Sequence, residues 1–125
     1  MRLLLDTHVF LWAVSGSRKL NARSRNMLES ASAVFVSAAS ILEIGIKVRL
    51  GKLQADPAAL VEAIDASGFI ELPVSARHAA KVAELPAVHP DPFDRLLVAQ
   101  AVCEPLLLVT ADAALAGYGN AVRVL

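Results

Sequence analysis

Four carboxylates are spread through the chain, each beside an apolar run: Asp6, Glu43, Asp94 and Asp112. Asp6 in RLLLDTH and Asp112 in LLLVTAD directly follow short apolar runs that read as buried strands. In an open parallel α/β sheet the ends of such strands border the ligand crevice. A carboxylate there either caps the next helix or ligates a metal. Several converging carboxylates repel one another unless protons or a cation intervene. The hard ions Mg²⁺ and Mn²⁺ suit such an oxygen-rich set.

Each acid also has a plainer reading. Asp6 suits the N-cap of a helix starting near His8. Glu43 suits a surface ion pair with Lys47, four residues on in the favourable orientation. Ile46 at i+3 places Glu43 at the edge of an apolar stripe, from which it can reach a cleft. In Asp91-Pro92-Phe93-Asp94, Asp91 reads as a helix cap and Asp94 as a first-turn acid, both favoured by the positive helix end. Asp91 is the alternative ligand of that pair. Asp112 suits the N-cap of Ala113 to Ala116. Thr110 and Ser37 are candidate hydroxyls for orienting a carboxylate. His8 and His89 offer ring nitrogens that could bind a metal or shuttle protons, but a lone histidine is more often structural and neither has the i, i+4 partner of a helical zinc site. There is no zinc-like Cys/His spacing, P-loop, dinucleotide glycine fingerprint or GxSxG elbow.

The elements that must position these residues alternate between strand and helix. Strands are predicted at Arg2 to Leu5, Ala33 to Val36, Phe69 to Leu72, Leu106 to Val109 and Ala121 to Val124. Helices are predicted over His8 to Val14, from the Asn21 cap to about Ser32, and from the Ser37 cap through Ala38 to Leu50 before Gly51. Others follow Asp56-Pro57, run from the Ser75 cap to about Glu84, span Pro92 to Cys103, and follow Asp112. The segment LPAVHPDPFD is a proline-punctuated loop. The alternation implies a mostly parallel sheet covered on both faces, with Asp6 and Asp112 on the same edge.

The 125 residues fit one domain, with no repeat or linker. The apolar content of 56% exceeds the usual share and suggests a buried partner surface in addition to a core. Net charge is zero, from 12 basic and 12 acidic residues, so nothing global favours a polyanion. Any basic patch is local, at Arg18, Lys19, Arg23 and Arg25 or at Lys47, Arg49 and Lys52; both clusters also suit a solvated helix face. The lone Cys103 lies in an apolar run that suits a buried thiol. Asp6 and His8 interrupt the apolar N-terminus, unlike a signal peptide, and no apolar run reaches the ~18 residues of a membrane span. These features predict a soluble, cytoplasmic protein.

The ordered set LLLDTHVFLW, SAASILEIGIKVRLGK, HPDPFDRLLVAQA and LLVTAD resembles the PIN-domain family, and most of all the VapC-type ribonuclease toxins of prokaryotic toxin–antitoxin pairs. The resemblance runs from Leu3 to the last strand. It implies a three-layer α/β/α sandwich around a sheet of about five parallel strands. It further implies a metal-dependent ribonuclease that binds Mg²⁺ or Mn²⁺ through Asp6, Glu43, Asp94 and Asp112. Placing the third acid before an apolar helix, as in FDRLLVAQA, favours Asp94 over Asp91. Thr7, Ser37 and Thr110 match supporting hydroxyl positions. A homodimer neutralised by a small antitoxin is implied as well, with an antitoxin arginine able to enter the acidic site. Two readings compete: a metal-free interaction module whose acids only cap helices, and a phosphoacceptor domain. The latter prefers paired acids after the first strand, where this chain has Thr7 and His8 behind Asp6.

Overall fold

The fold is built around three consecutive leucines. In the computed structural model, which describes residues 1–125, strand β1 (Arg2–Leu5) is central and Leu3, Leu4 and Leu5 have no exposed surface. Successive side chains on a strand face opposite ways. Leu3 and Leu5 accordingly join one core and Leu4 the other. A strand covered on both faces has no polar side, which is why this segment is uniformly apolar.

The sheet is wholly parallel, in the order β3-β2-β1-β4-β5, with β2 at Ala33–Ser37, β3 at Ile70–Leu72, β4 at Leu107–Thr110 and β5 at Val122–Val124. Leu5 is in register with Val36 on one side and Val109 on the other. One core combines Leu3, Leu5, Val34, Val36 and Val109 with Phe10 of α1 (Thr7–Ser15), Ile44 of α3 (Ala38–Arg49) and Ile64 of α4 (Pro57–Ala66). Met27 and Leu28 of α2 (Ala22–Ser30) pack against it. The second core combines Leu4, Leu72 and Leu108 with Leu97, Val98 and Ala101 of α6 (Pro92–Cys103), beside which lies α5 (Ala76–Lys81). This is the expected α/β/α sandwich.

The topology also dictates where a site can form. The chain lays β2 and β3 out on one side of β1, then crosses to lay β4 and β5 on the other. The reversal falls between the C-terminal ends of β1 and β4, the place where open α/β sheets bind ligands. Asp6 and Asp112 follow those two strands.

Several boundaries differ from the sequence reading. Helix α1 begins one residue earlier, at Thr7, and α2 ends at Ser30, because Ala31 is already extended toward β2. The helix expected to reach Glu84 tightens into a 3₁₀ turn at Val82–Glu84. Its neighbouring carbonyls are taken up by Arg95, which donates from Nη2 to Val82 O (3.0 Å) and from Nη1 to Pro86 O (3.0 Å). The segment after Asp112 is a kinked 3₁₀ run, Ala113–Ala121. Cys103 is half-buried rather than enclosed. No helix is long and apolar enough to cross a membrane.

Because β1 anchors both cores, Leu4→Ala is expected to lower unfolding free energy by about 2–5 kcal/mol. Denaturant unfolding measures this. A loss well under ~1 kcal/mol would contradict the central placement of β1.

Candidate active site

Asp6 is placed by two strands at once. Its backbone N–H donates to Val109 O of β4 (3.0 Å), so it leaves the sheet at the β1/β4 seam. Its Oδ1 accepts from Val9 N (2.8 Å), capping α1, and its Oδ2 accepts from the Thr110 hydroxyl. The cap read from sequence is therefore present, and the same carboxylate also lies in a cleft. Burial is the largest influence on its pKa and raises it, against the opposing pull of the Thr110 and Val9 donors.

Glu43 corrects the surface reading. Its ion pair with Lys47 forms, Oε2 to Nζ at 2.7 Å, but Glu43 is only 5% exposed. Thr7 donates to Glu43 Oε1 (2.7 Å), and Ser40 Oγ lies 3.0 Å from the same threonine hydroxyl. Lys47 is thus the cation facing the acids, its pKa raised first by Glu43 and further by Asp91 and Asp94. Each carboxylate oxygen of Asp6 and Glu43 has a protein donor, yet an ionised carboxylate offers about four lone-pair sites, so capacity for a further ligand is left.

The third and fourth acids come from α6 and from the segment after β4. Asp91 caps α6 by accepting from Phe93 N (2.8 Å) and Asp94 N (3.2 Å). Asp94, one turn in, is pushed up to about 6 from an ordinary 3.8, first by desolvation and then by the charges of Asp91 and Glu43. Asp112 caps the following 3₁₀ run through Ala114 N (3.0 Å), while its own N–H donates to Thr110 Oγ1 (3.0 Å). Thr110 therefore touches both strand-end acids.

All four predicted acids, with Asp91, line one cleft of about 410 Å³. Thr7 lines it too. Ser37 does not: it is fully buried and caps α3 by accepting from Ala39 N (3.0 Å). The α3 hydroxyl that meets Thr7 is Ser40, three residues on. A separate cavity of about 380 Å³ between α1, α2 and β2 has a single acid in its lining, Glu29, beside Arg25.

His89, weighed from sequence but left out of the predicted site, also lines the acidic cleft. Its Nδ1 accepts from Asp91 N (3.1 Å), which leaves Nε2 to carry the proton and donate to Asp112 Oδ2 (3.1 Å). One ligand atom each from His89, Asp94 and Asp112 lies within 4.8 Å of the others. The loop carrying His89 is clamped from outside the cleft. Tyr118 Oη accepts from His89 N (3.2 Å) and from Arg95 Nη1 (3.1 Å). Gly117 allows Val88 to approach so closely that a Cβ there would lie 2.7 Å from Val88 Cγ1. The legible signal was the HPDP spacing, since a ring nitrogen two residues before a helix cap can accept the cap's N–H.

The donor set fits a hard divalent cation. It is oxygen-rich, with both ring nitrogens of His89 engaged by Asp91 and Asp112, and it places more carboxylates together than its one lysine neutralises. Desolvated neighbouring carboxylates favour either protonation or a cation, and the raised Asp94 pKa reports that tendency.

The PIN domain family model matches residues 3–120. Among solved structures, the chain is similar to VapBC2 from Rickettsia felis bound to a DNA fragment from their promoter: TM-score 0.73, 16% identity, 99% of this chain and 98% of that one covered. It is also similar to a toxin–antitoxin complex from Klebsiella pneumoniae, with TM-score 0.71, 18% identity and coverage of 98% and 96%. FitAcB from Neisseria gonorrhoeae follows at TM-score 0.62, 23% identity and coverage of 96% and 95%. At these identities the likeness is one of fold. No curated protein matches the chain.

The Asp94 environment has a measurable consequence. Its folded pKa of about 6 exceeds its ordinary 3.8, so between these values the folded state holds more protons than the unfolded state. Stability then falls as pH rises through this window. The full shift corresponds to roughly 2–3 kcal/mol. In chelator, the melting temperature is expected to rise as pH is lowered from about 7 to about 5, and Asp94→Asn should flatten that slope. A wild-type melting temperature that climbs with pH, unaltered by the substitution, would contradict the crowding of charge at Asp94.

Proposed function

The chain belongs to the PIN domain family, and from that premise we propose that it is a Mg²⁺- or Mn²⁺-dependent endoribonuclease acting as the toxin of a toxin–antitoxin pair. The observation that carries the reading is the convergence of Asp6, Glu43, Asp94 and Asp112 in one cleft at the β1/β4 reversal. Asp94 and Asp112, with His89 beside them, and Asp6 and Glu43 on the opposite elements would hold the cation. When bound, such an ion supplies activation of water near neutral pH and stabilisation of charge on the phosphate and leaving oxygen.

The remaining roles belong to the chain's own groups. Thr110 fixes the Asp6 carboxylate against β4, and Thr7 and Lys47 fix Glu43, so the acids are oriented before substrate arrives. His89 donates its Nε2 proton to Asp112 and aims that carboxylate into the cleft. Lys47 faces the acids from α3, where a phosphate oxygen finds a cation.

A small antitoxin and a second copy of the chain are the proposed partners. Leu42 and Ile46 on α3 and Leu50 at its C-cap lie at four-residue spacing with 59%, 42% and 62% of their surface exposed, an apolar stripe that suits a protein contact. The toxin–antitoxin assemblies among the structural neighbours support the same reading. An RNA-cleaving toxin acts where its substrate is, in the cytoplasm.

One observation favours the metal-free interaction module. Asp6, Asp91 and Asp112 each cap a helical segment, and Glu43 is ion-paired. Caps alone do not explain Asp94, which caps nothing and is held among like charges.

Cleavage of structured RNAs by the purified protein separates the two. Cleavage should require Mg²⁺ or Mn²⁺ and stop in chelator. Asp6→Asn and Asp94→Asn should each lose on the order of 100-fold or more, since even the outer partners of metal ligands are worth about 10- to 100-fold. Undiminished cleavage in chelator, or by either variant, would falsify the metal–carboxylate mechanism.

A further inference from the structure

One wall of the acidic cleft is aromatic. Trp12, the only tryptophan of the chain, lines the cleft beside Asp6, Glu43 and Lys47; it and Ala111 are the only apolar residues there. His8 sits one turn earlier on α1, exposed, with its ring centroid 6.2 Å from that of Trp12. Trp12 is half-buried and packs against the core that holds Val9 and Phe10. The indole is therefore anchored on one side and open to a polar, acid-lined space on the other.

The turn after α1 places a cation over the indole ring. Gly16 takes a left-handed φ of 66°, which lets the chain reverse, and Ser17 N donates to Trp12 O (3.0 Å). Ser17 Oγ accepts from Lys19 N (3.2 Å), and Ser17 O accepts from Arg25 Nη2 (2.6 Å). Lys19 Nζ thereby lies 5.7 Å from the Trp12 ring centroid. On the other flank, Lys47 and Lys52 line a hollow that shares Thr7 and His8 with the acidic cleft. Each of the two basic clusters in the sequence thus sends a lysine to this region, although the net charge of the chain is zero.

A cleft that cuts a phosphodiester must hold the nucleotide next to the phosphate as well as the phosphate. Aromatic faces do this without sequence preference, because every base has a π-face. We propose that Trp12, flanked by His8, is a nucleobase platform on which an unpaired base adjoining the scissile phosphate stacks, while Lys19 and Lys47 meet the neighbouring phosphates. The proposal rests on the nuclease reading of the same cleft and deepens it by naming the side chain that would hold the nucleotide beside the scissile phosphate. A base inside a duplex has both faces covered and cannot use the platform. Lys19 leaves the ring when the base arrives, exchanging an exposed cation–π contact for a phosphate, which is favourable because base stacking is the stronger interaction.

The single tryptophan makes the test direct. Emission of the Asp6→Asn protein, in which cleavage is suppressed, is titrated in Mg²⁺ with a short unstructured RNA of mixed sequence, and in parallel with the same RNA annealed to its complement. Binding is followed independently by anisotropy of labelled RNA. The single strand should quench emission in step with binding, and the duplex should not. Trp12→Leu, which keeps apolar bulk but no π-face, should weaken single-strand affinity on the order of 10-fold, and Trp12→Phe should restore most of it. In the cleaving protein the loss should fall on KM rather than kcat. Unchanged emission at saturating RNA, equal quenching by duplex, or a Trp12→Leu protein that alters self-association while binding RNA normally would overturn the platform. Wild-type cleavage is scored separately: its absence counts against the nuclease, whereas the emission titration alone decides the platform.

Discussion

Like charges held close together in a half-buried space are the constraint around which this molecule is organised. Five carboxylates, Asp6, Glu43, Asp91, Asp94 and Asp112, line one cleft with a single lysine among them. Such an arrangement is unfavourable by itself, and a protein retains it only where the surrounding structure over-determines it. Here that determination comes from the sheet. Asp6 and Asp112 follow the two central strands at the point where the strand order reverses, and strands with both faces covered have no freedom to move them apart.

The acids are held by groups that the reaction would not consume. Thr110 reaches both strand-end acids, donating to Asp6 and accepting from the Asp112 N–H. Thr7 reaches across from α1 to Glu43 on α3. The loop that brings His89 to Asp112 depends on Arg95, Tyr118 and Gly117, none of which lines the cleft. Site geometry is therefore distributed, with caps, strand ends and an external clamp each fixing one carboxylate.

Legibility in the sequence follows how local each feature is. The strands, their parallel direction and the positions of Asp6 and Asp112 at strand ends follow from short-range pattern, whereas the strand order does not. Leu3, Leu4 and Leu5 can be apolar together only in a strand covered on both faces, and a cap sits beside the helix it serves. Glu43 was harder. An i, i+4 pair with Lys47 looks the same on a surface as at a cleft, and only the packing of α1 against α3 buries it. Ser37 and Ser40 differ by less than a helical turn; which of them meets Thr7 depends on how α3 is rotated against α1, and rotation is a tertiary property. The HPDP spacing foreshadows the bond from the Asp91 N–H to the His89 ring, but the approach of His89 to Asp112 and of Trp12 to the cleft comes from a loop closure and a helix placement that no local spacing encodes.

Together these acids are proposed to hold a divalent cation. Titration of the metal-free protein with Mn²⁺, with bound ion read from its electron paramagnetic resonance signal and Mg²⁺ as competitor, tests it most directly. Saturable binding that Mg²⁺ displaces, and that is weakened by Asp94→Asn and by Asp112→Asn alike, is the predicted result. Absence of bound Mn²⁺ up to millimolar concentration at neutral pH, or binding untouched by both substitutions, would contradict it.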